Sequence, residues 1–377
     1  MVENSYVIVI PSKFAQKHTS TLIQNIKNIL KIKNLQYKTI KKDGQIIIVD
    51  ANDPVFTSSA INLLFGIEKV AIAKQVKNNF STIISEISKI GSNLLLKGDT
   101  FYVKVDGIAK GYVPKDLELA ATSAIIEKAS KMDAHPGTEE NHNKLLYTFL
   151  TKSNAYICIF SDKGLGGIPY GVQKETILCG IYDELSAISC IETIKQGFNV
   201  EIIVHYSNDT ELKKLVKMLN QILPRMVSKK IDLEFFKINF DKINSKNYFS
   251  YIQSVFSSIE KIASKRKIKC VSLPITPLIF PSKLIGEICI KFYQQKILPY
   301  LPLGALEDEI FRNAKEVGLG KFIQNIEKLI KINFDSIKSI KDIEKNNLPI
   351  ISKKITVQVG PNNVHEILDE LIEEGKN

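Results

Sequence analysis

The chain lacks the residue pairings that announce a metal or redox centre. Its five cysteines, Cys158, Cys179, Cys190, Cys270 and Cys289, include no CxxC, and its five histidines form no HExxH. Those absences argue against a zinc site or a redox pair and make a buried free thiol the expected role of at least four of the five. No apolar run approaches the roughly 20 residues that cross a bilayer. The opening "MVENSYVIVIPSKF" carries neither a basic leader nor a cleavage site. A cytoplasmic protein without a membrane partner is therefore expected. Arginine is scarce, with only Arg225, Arg266 and Arg312. No internal repeat or long low-complexity segment is evident.

Lysine is what the chain has instead. The 51 basic residues outnumber the 40 acidic ones, giving a net charge of +11 and a pI near 9.1. A basic excess favours a polyanionic partner, nucleic acid first. Lysine supplies diffuse attraction to phosphate, whereas bidentate recognition prefers arginine, so backbone and shape should matter more than base edges. A length of 377 residues, 44% hydrophobic and 24% charged, implies a globular chain of two or three domains.

The pattern along the chain divides it further. "SYVIVI" reads as a strand and 18–31 as a helix with Leu22, Ile26 and Ile29 on one side. "YKTIKKDGQIIIVD" reads as a hairpin turning at Asp43-Gly44. "VFTSSAINLLFG" reads as a helix closed by Gly66 at its C′ position, and "KVAIAKQV" as a strand. That order suggests a ferredoxin-like unit over 1–75. A helix over 80–95, the strand "TFYVKVDGI", a helix over 116–131, a polar loop "MDAHPGTEENHNKL" and a strand over 154–162 make a second unit, 76–170. The glycine-rich "KGLGGIPYGVQKE" reads as the join to a third, 171–377. There, strands at 176–179, 200–207, 233–240 and 270–275 alternate with helices at 183–196, 210–222, 247–265 and 282–295, implying a parallel sheet covered on both faces. Such sheets bind ligands at the carboxyl ends of their strands, where 179–184 would lie. The tail reads as a helix over 306–317, a lysine-rich helical stretch over 321–346, the strand "KITVQV" and a last helix from about 363 to 374.

This order of parts resembles the tRNA 4-thiouridine synthase (ThiI) family. The resemblance is carried by "FGIEKVAIAKQV", by "AYICIFSDKGLGGIPYGV", by "ILCGIYDELSAISCIETIKQGFNVEIIVHYS" and by "ALEDEIFRNAKEVGL". It implies α+β ferredoxin-like and THUMP domains followed by an α/β parallel-sheet domain of the PP-loop, Rossmann-like kind. It implies tRNA as partner, and Lys104, Lys110, Lys115 and Lys163 as candidate RNA contacts, Lys110 foremost. The basic run "KIASKRKIK", 261–269, is a further candidate.

The family's phosphate loop reads SGGxDS, small residues that let backbone N–H groups close on pyrophosphate at a helix N-terminus. Here the aligned residues are Cys179, Gly180, Ile181, Tyr182, Asp183 and Glu184. Only Gly180 and Asp183 match, and they are the remnant candidates for nucleotide binding. Asp183 and Cys179 are the remnant candidates for catalysis. A β-branched Ile181 obstructs the nest. Glu184, expected on an exposed first helical turn, would set a carboxylate against phosphate. The family's hydroxyl- and glycine-rich stretch is replaced by "SLPITPLIFPSK", and the region "GLGKFIQNIEKLIKINF" lacks its sulfur-carrying cysteine. Asp183 then serves as a helix-end charge, with Ile188, Ile191 and Ile194 packing the helix on the sheet. The expectation is a tRNA-binding protein implicated in thiolation, with no cofactor and no metal. Two alternatives stand beside it. One is an active ATP-dependent sulfurtransferase using ATP and magnesium. The other is a non-catalytic partner, in a homodimer or with an active synthase.

Overall fold

The computed structural model describes residues 5–238, 248–304, 308–322, 351–360 and 363–372. The chain forms two compact units, 1–166 and 167–377.

The first unit opens with β1 (Ser5–Pro11), α1 (Thr19–Ile32), β2 (Tyr37–Asp43), β3 (Ile46–Ala51), α2 (Pro54–Ile61) and β4 (Ile67–Lys77). These strands lie in the order β2-β3-β1-β4, the ferredoxin-like arrangement. The amphipathic α1 buries Leu22, Ile26, Ile29 and Leu30, and α2 starts where Asp53 accepts from the N–H groups of Val55 and Phe56 with Pro54 behind it. The hairpin turns where Gly44 takes a φ of +62°. Helix α2 ends at Ile61, with Asn62 as its cap, so Gly66 is not its C′ residue. Gly66, at φ +89°, instead turns the chain into β4 and donates its N–H to the Gly166 carbonyl at 2.6 Å.

The other half of this unit follows as α3 (Phe80–Leu94), β5 (Thr100–Gly107), α4 (Pro114–Ala129), the short β6 (His135–Pro136), β7 (Lys144–Leu150) and β8 (Asn154–Gly166). Strand β8 pairs antiparallel with β4 along its length. Both halves thus share one eight-stranded sheet, β2-β3-β1-β4-β8-β7-β5-β6, and the expected division at 75/76 falls inside β4. Helices α3 and α4 cover Phe101, Val103, Val105, Leu146, Ala155 and Ile157. Tyr147, Phe149, Tyr156 and Cys158 pack with Ile8, Ile46 and Ile48 in a separate cluster.

Two expectations change here. The stretch read as a polar loop through Leu145 runs into a full strand, β7, whose residues from Leu146 to Leu150 are all buried; burial on both faces erases the alternation that marks a strand. The stretch read as a join also starts as strand, because Lys163–Gly166 continue β8.

The second unit contains β9 (Thr176–Ile181), α5 (Glu184–Lys195), β10 (Asn199–Tyr206), α6 (Asp209–Ile222), β11 (Lys230–Lys237), α7 (Tyr248–Arg266), β12 (Cys270–Ser272), α8 (Ser282–Gln294), β13 (Leu298–Tyr300), α9 (Asp308–Glu316), β14 (Ile351–Gln358) and α10 (Asn363–Ile372). The sheet order is β13-β12-β9-β10-β11-β14. Its first five strands are parallel, as expected of a PP-loop or Rossmann-like domain. The predicted "KITVQV" strand joins as β14, but antiparallel to β11, so the sheet is mixed. The predicted helical stretch 321–346 lies almost wholly outside the described residues. Beyond Gly166, Ile168 donates its N–H to Lys195, and Gly171 and Gln173 donate theirs to Gly197. The rest of the glycine-proline stretch is therefore laid along the end of α5.

Candidate functional site at the strand carboxyl ends

Strand β9 runs through Cys179, Gly180 and Ile181 before α5 begins at Glu184. Only Tyr182 and Asp183 remain for the turn, and the place of the phosphate loop is largely strand. Ile181 is fully buried and lies opposite Val204 of β10. At Gly180, an added Cβ would sit 2.5 Å from the Cδ1 of Ile259 on α7. The space that glycine opens is thus filled by an isoleucine of the same unit.

Asp183 is the N-cap of α5. Its Oδ1 accepts from the Ser186 N–H at 2.8 Å, and the Ser186 Oγ accepts from the Asp183 N–H at 2.9 Å. This is a closed capping box. The other carboxylate oxygen, Oδ2, accepts from the Tyr248 hydroxyl at 2.6 Å. Asp183 is buried. Burial lifts its carboxyl above the usual range, more than the bonds from Tyr248 and Ser186 lower it, and Glu184 adds to the rise. Burial likewise holds the Tyr248 phenol well above its ordinary value.

Glu184 does not lie on an exposed turn. It is 3% exposed and pairs with Lys214 of α6 at 2.5 Å. The reason is α5 itself. The sequence gives it one apolar stripe, yet all twelve residues are buried, including Ile188, Ile191 and Ile194. A helix enclosed on every side leaves no solvent face for its first turn.

Nearby groups follow the same pattern. Glu211 accepts from the N–H and the hydroxyl of Ser207 at 2.7 Å each, and burial raises its carboxyl. His205 on β10 shares a 3.0 Å hydrogen bond between its Nε2 and Ser258 and stacks on Phe236 with ring centroids 5.2 Å apart. Burial lowers its imidazole to about 3, so it is neutral. Tyr182 meets the rings of Tyr251 and Phe256 edge-on. Asp183, Glu184 and Glu211 thus each have partners inside the protein. Among the described residues no three His, Cys, Asp or Glu side chains converge as metal ligands.

Cys158, Cys190, Cys270 and Cys289 have thiols shifted away from those of an activated nucleophile. Cys158, Cys179 and Cys190 are buried, whereas Cys270 and Cys289 are half-buried, so three rather than four are sealed. Contact with Cys179 and burial push the Cys190 thiol well up. Burial pushes Cys270 to about 11 and Cys158 to about 12. A sulfur-transferring cysteine needs the opposite shift.

The candidate RNA contacts lie on the first unit. Lys104, on β5, is 3.5 Å from Glu139. Lys115, in the first turn of α4, pairs with Glu118 at 2.8 Å. Lys110 is exposed between Gly107 and Gly111, both at positive φ, and among the described residues it makes no ion pair. Lys163 belongs to β8 rather than to a join, and it faces Lys69 in register. Lys69, absent from the sequence reading, sits 3.6 Å over the Tyr147 ring and feels the charge of Lys104. The structure thereby brings Lys69 and Lys104 to Tyr147, with Lys163 paired to Lys69 across β4 and β8. Alternation along "IEKVAIAKQV" was the available signal for Lys69. In the second unit, Arg266 of the basic run is held between Glu201 and Glu234 and is not a free phosphate ligand.

No family model matches the chain. Probable tRNA sulfurtransferases do match in part. That of Methanosarcina mazei is 21% identical over 189 residues, 50% of this chain and 46% of the relative. That of Macrococcus caseolyticus is 26% identical over 166 residues, 43% of this chain and 41% of the relative. The chain spans less than half the length of these relatives. Among solved structures, PH1313 from Pyrococcus horikoshii superposes with a TM-score of 0.62 at 20% identity, over 84% of this chain and all of that one. A 4-thiouridine synthetase in complex with RNA and ATP superposes with a TM-score of 0.61 at 14% identity, over 94% of this chain and all of that one. The structural likenesses establish the fold. With the sequence relatives, they support the resemblance to the tRNA 4-thiouridine synthase family.

Proposed function

We propose that this chain is a cytoplasmic tRNA-binding protein of the thiouridine synthase family that takes part in tRNA thiolation without adenylating RNA itself. The first unit grips tRNA through Lys69, Lys104, Lys110, Lys115 and Lys163. The adenylating chemistry would come from a separate active synthase subunit.

The observation that carries this reading is the closure of the phosphate-loop position. A pyrophosphate nest needs several backbone N–H groups aimed outward with space before them. At this site the Tyr182 and Asp183 N–H groups are taken by the Ser186 Oγ, the Ser186 N–H is taken by Asp183, and Ile259 fills the space at Gly180. Glu184 adds a carboxylate that the family loop lacks, and it is already paired with Lys214. The residues present do not fit a nucleoside triphosphate.

The test measures ATP and tRNA binding on one sample. A ligand stabilises by RT ln(1 + [L]/Kd), so millimolar ATP on a ~10 μM site would add about 2.7 kcal/mol. The expected result is no shift in melting temperature with ATP and magnesium, beside tRNA binding at low salt. An ATP-dependent shift, or pyrophosphate exchange, would put the active sulfurtransferase first. Absence of tRNA binding at low salt would remove the reading altogether.

A further inference from the structure

The positive charge of the first unit is concentrated at its start. Residues 5–42 carry eight lysines and not one Asp or Glu, whereas residues 43–166 carry 13 lysines against 14 acids. A lysine-rich composition that only solvates the surface would mix the signs in both stretches, as it does in the second. All eight side chains are exposed, and among the described residues none of them forms an ion pair. Asp43, the next acid in the chain, feels the charge of Lys41, but it is already engaged with Thr151, Asn154 and Tyr156. Two structural roles account for part of the set. Lys31 and Lys33 stand at the C-terminal end of α1, where cations complement the helix dipole. Lysines on an edge strand such as β2 keep it from pairing with another chain. Neither role covers Lys13 and Lys17, which precede α1 at its positive end, with no acid in the first turn to offset them. Nor does either cover Lys27, in the body of the helix.

Like charges held this close repel one another, and a polyanion removes that repulsion. The cations are strung out rather than gathered at a point. Helix α1, of 14 residues, runs about 21 Å; β2, of seven residues, runs about 23 Å. A turn through Asn34, at φ +54°, joins the two. Lys27 and Lys31 lie a turn apart on the side of α1 opposite its buried Leu22, Ile26, Ile29 and Leu30. The fitting partner is therefore extended and anionic. A lipid surface fits poorly, because a helix lying on a bilayer sinks its apolar stripe into it, and that stripe is here buried in the core. The one large apolar side chain that this stretch exposes, Phe14, is not on the helix. The first unit has no arginine at all, so the point charges of lysine meet phosphate without the forked geometry that reads a base edge. We propose that α1 and β2 form a second RNA-contacting surface of the first unit, which holds the ribose-phosphate backbone of tRNA through unpaired lysines. The inference rests on the tRNA reading and adds a surface apart from the lysines named there.

Four of these lysines are neutralised together in the full chain, as Lys27→Gln, Lys31→Gln, Lys38→Gln and Lys42→Gln. A control removes the same charge from exposed positions of the second unit, as Lys174→Gln, Lys213→Gln, Lys217→Gln and Lys283→Gln. Filter binding of tRNA is followed at several salt concentrations. Each phosphate contact contributes roughly 0.7–0.9 to the slope of log affinity against log salt. The α1–β2 variant should therefore lose about 2–3 from the slope, at an unchanged melting temperature, and the control should keep the parent's slope. Arginine at the same four positions of α1 and β2 keeps the charge and should keep the slope; a loss there too would overturn the proposal. The parent's slope in the glutamine variant overturns it and leaves the tRNA reading standing. Equal losses in variant and control also overturn it, since net charge alone then governs binding. A parent that binds no tRNA at low salt removes the tRNA reading itself, and this surface with it. Binding of the parent to phosphatidylserine vesicles that the glutamine variant loses, with tRNA affinity unchanged, would give the surface to lipid and overturn the proposal.

Discussion

His205 shows how one buried residue shapes the response to acid. Its Nδ1 has no hydrogen-bond partner among the described residues, and its folded value of about 3 lies far below the ordinary 6.5. As pH falls the unfolded chain takes up the proton first, so stability is lost from about 6.5 downward until the folded value is reached. Between pH 7 and pH 5 this group should remove about 2 kcal/mol. Urea unfolding at both pH values checks it: His205→Asn should lose that part of the slope, and an unchanged slope would refute the assignment. Asp183 and Glu211 act with the opposite sign. Their raised carboxyls cost stability above the ordinary carboxylate range, and the cost is relieved as pH falls through their folded values. Comparing variant with parent separates the two effects. Glu184 is a second case. Its burial and its 2.5 Å pair with Lys214 mean that Glu184→Ser should destabilise by about 1–3 kcal/mol, the cost of an unmade buried bond. The substitution is therefore a poor test of nucleotide rescue unless stability is measured beside it.

Among the elements, those that alternate or carry caps were legible in the sequence. Asp53-Pro54 starts α2 and Asp183 starts α5, as capping residues do. Strands β1, β3 and β9 keep apolar patterns bounded by turn residues. Strand β7 was not legible, because burial of Leu146–Leu150 on both faces leaves a plain apolar run beside polar residues. Helix α5 was found, but its enclosure was not, since burial on all sides depends on neighbours distant in sequence. That omission misplaced Glu184, and with it part of the candidate site. The closing of the first unit's sheet was hidden for the same reason. Asp43, at the tip of the β2–β3 hairpin, accepts hydrogen bonds from Thr151 at 3.0 Å, Asn154 at 3.0 Å and Tyr156 at 2.7 Å. These partners are more than 100 positions away. Burial raises the Asp43 carboxyl, but those bonds and Lys41 outweigh it and the net shift is downward. This stabilisation is present above the ordinary aspartate value and lost as pH falls through the folded one. Asp43→Ala should cost about 2–4 kcal/mol at neutral pH, because the buried Tyr156 hydroxyl loses its acceptor. Asp43→Asn should recover part of that. Equal loss in both variants would mean that the bonds at this tip hold nothing together.

For the whole molecule, the two units set the last prediction. The first unit ends at Gly166, where β8 stops, whereas Tyr170 lies among the residues laid along the end of α5. A chain cut after Gly166 keeps all eight strands of its sheet and both helix pairs, so it should fold alone with a cooperative melt. Cut after Tyr170, it would carry residues whose hydrogen-bond partners have been removed, Lys195 for Ile168 and Val172 for Pro169. The 1–166 fragment should also keep tRNA affinity, because the candidate lysines all lie within it. Binding should weaken steeply with salt, since each lysine–phosphate contact releases a counterion. In a plot of log affinity against log salt, Lys110→Ala should lower the slope by about 1. Lys115→Ala should change it less, because Glu118 already neutralises that side chain. Filter binding at four salt concentrations decides between the outcomes. A folded fragment with no tRNA affinity would move recognition to the second unit, and equal slopes for Lys110→Ala and the parent would remove Lys110 from the interface.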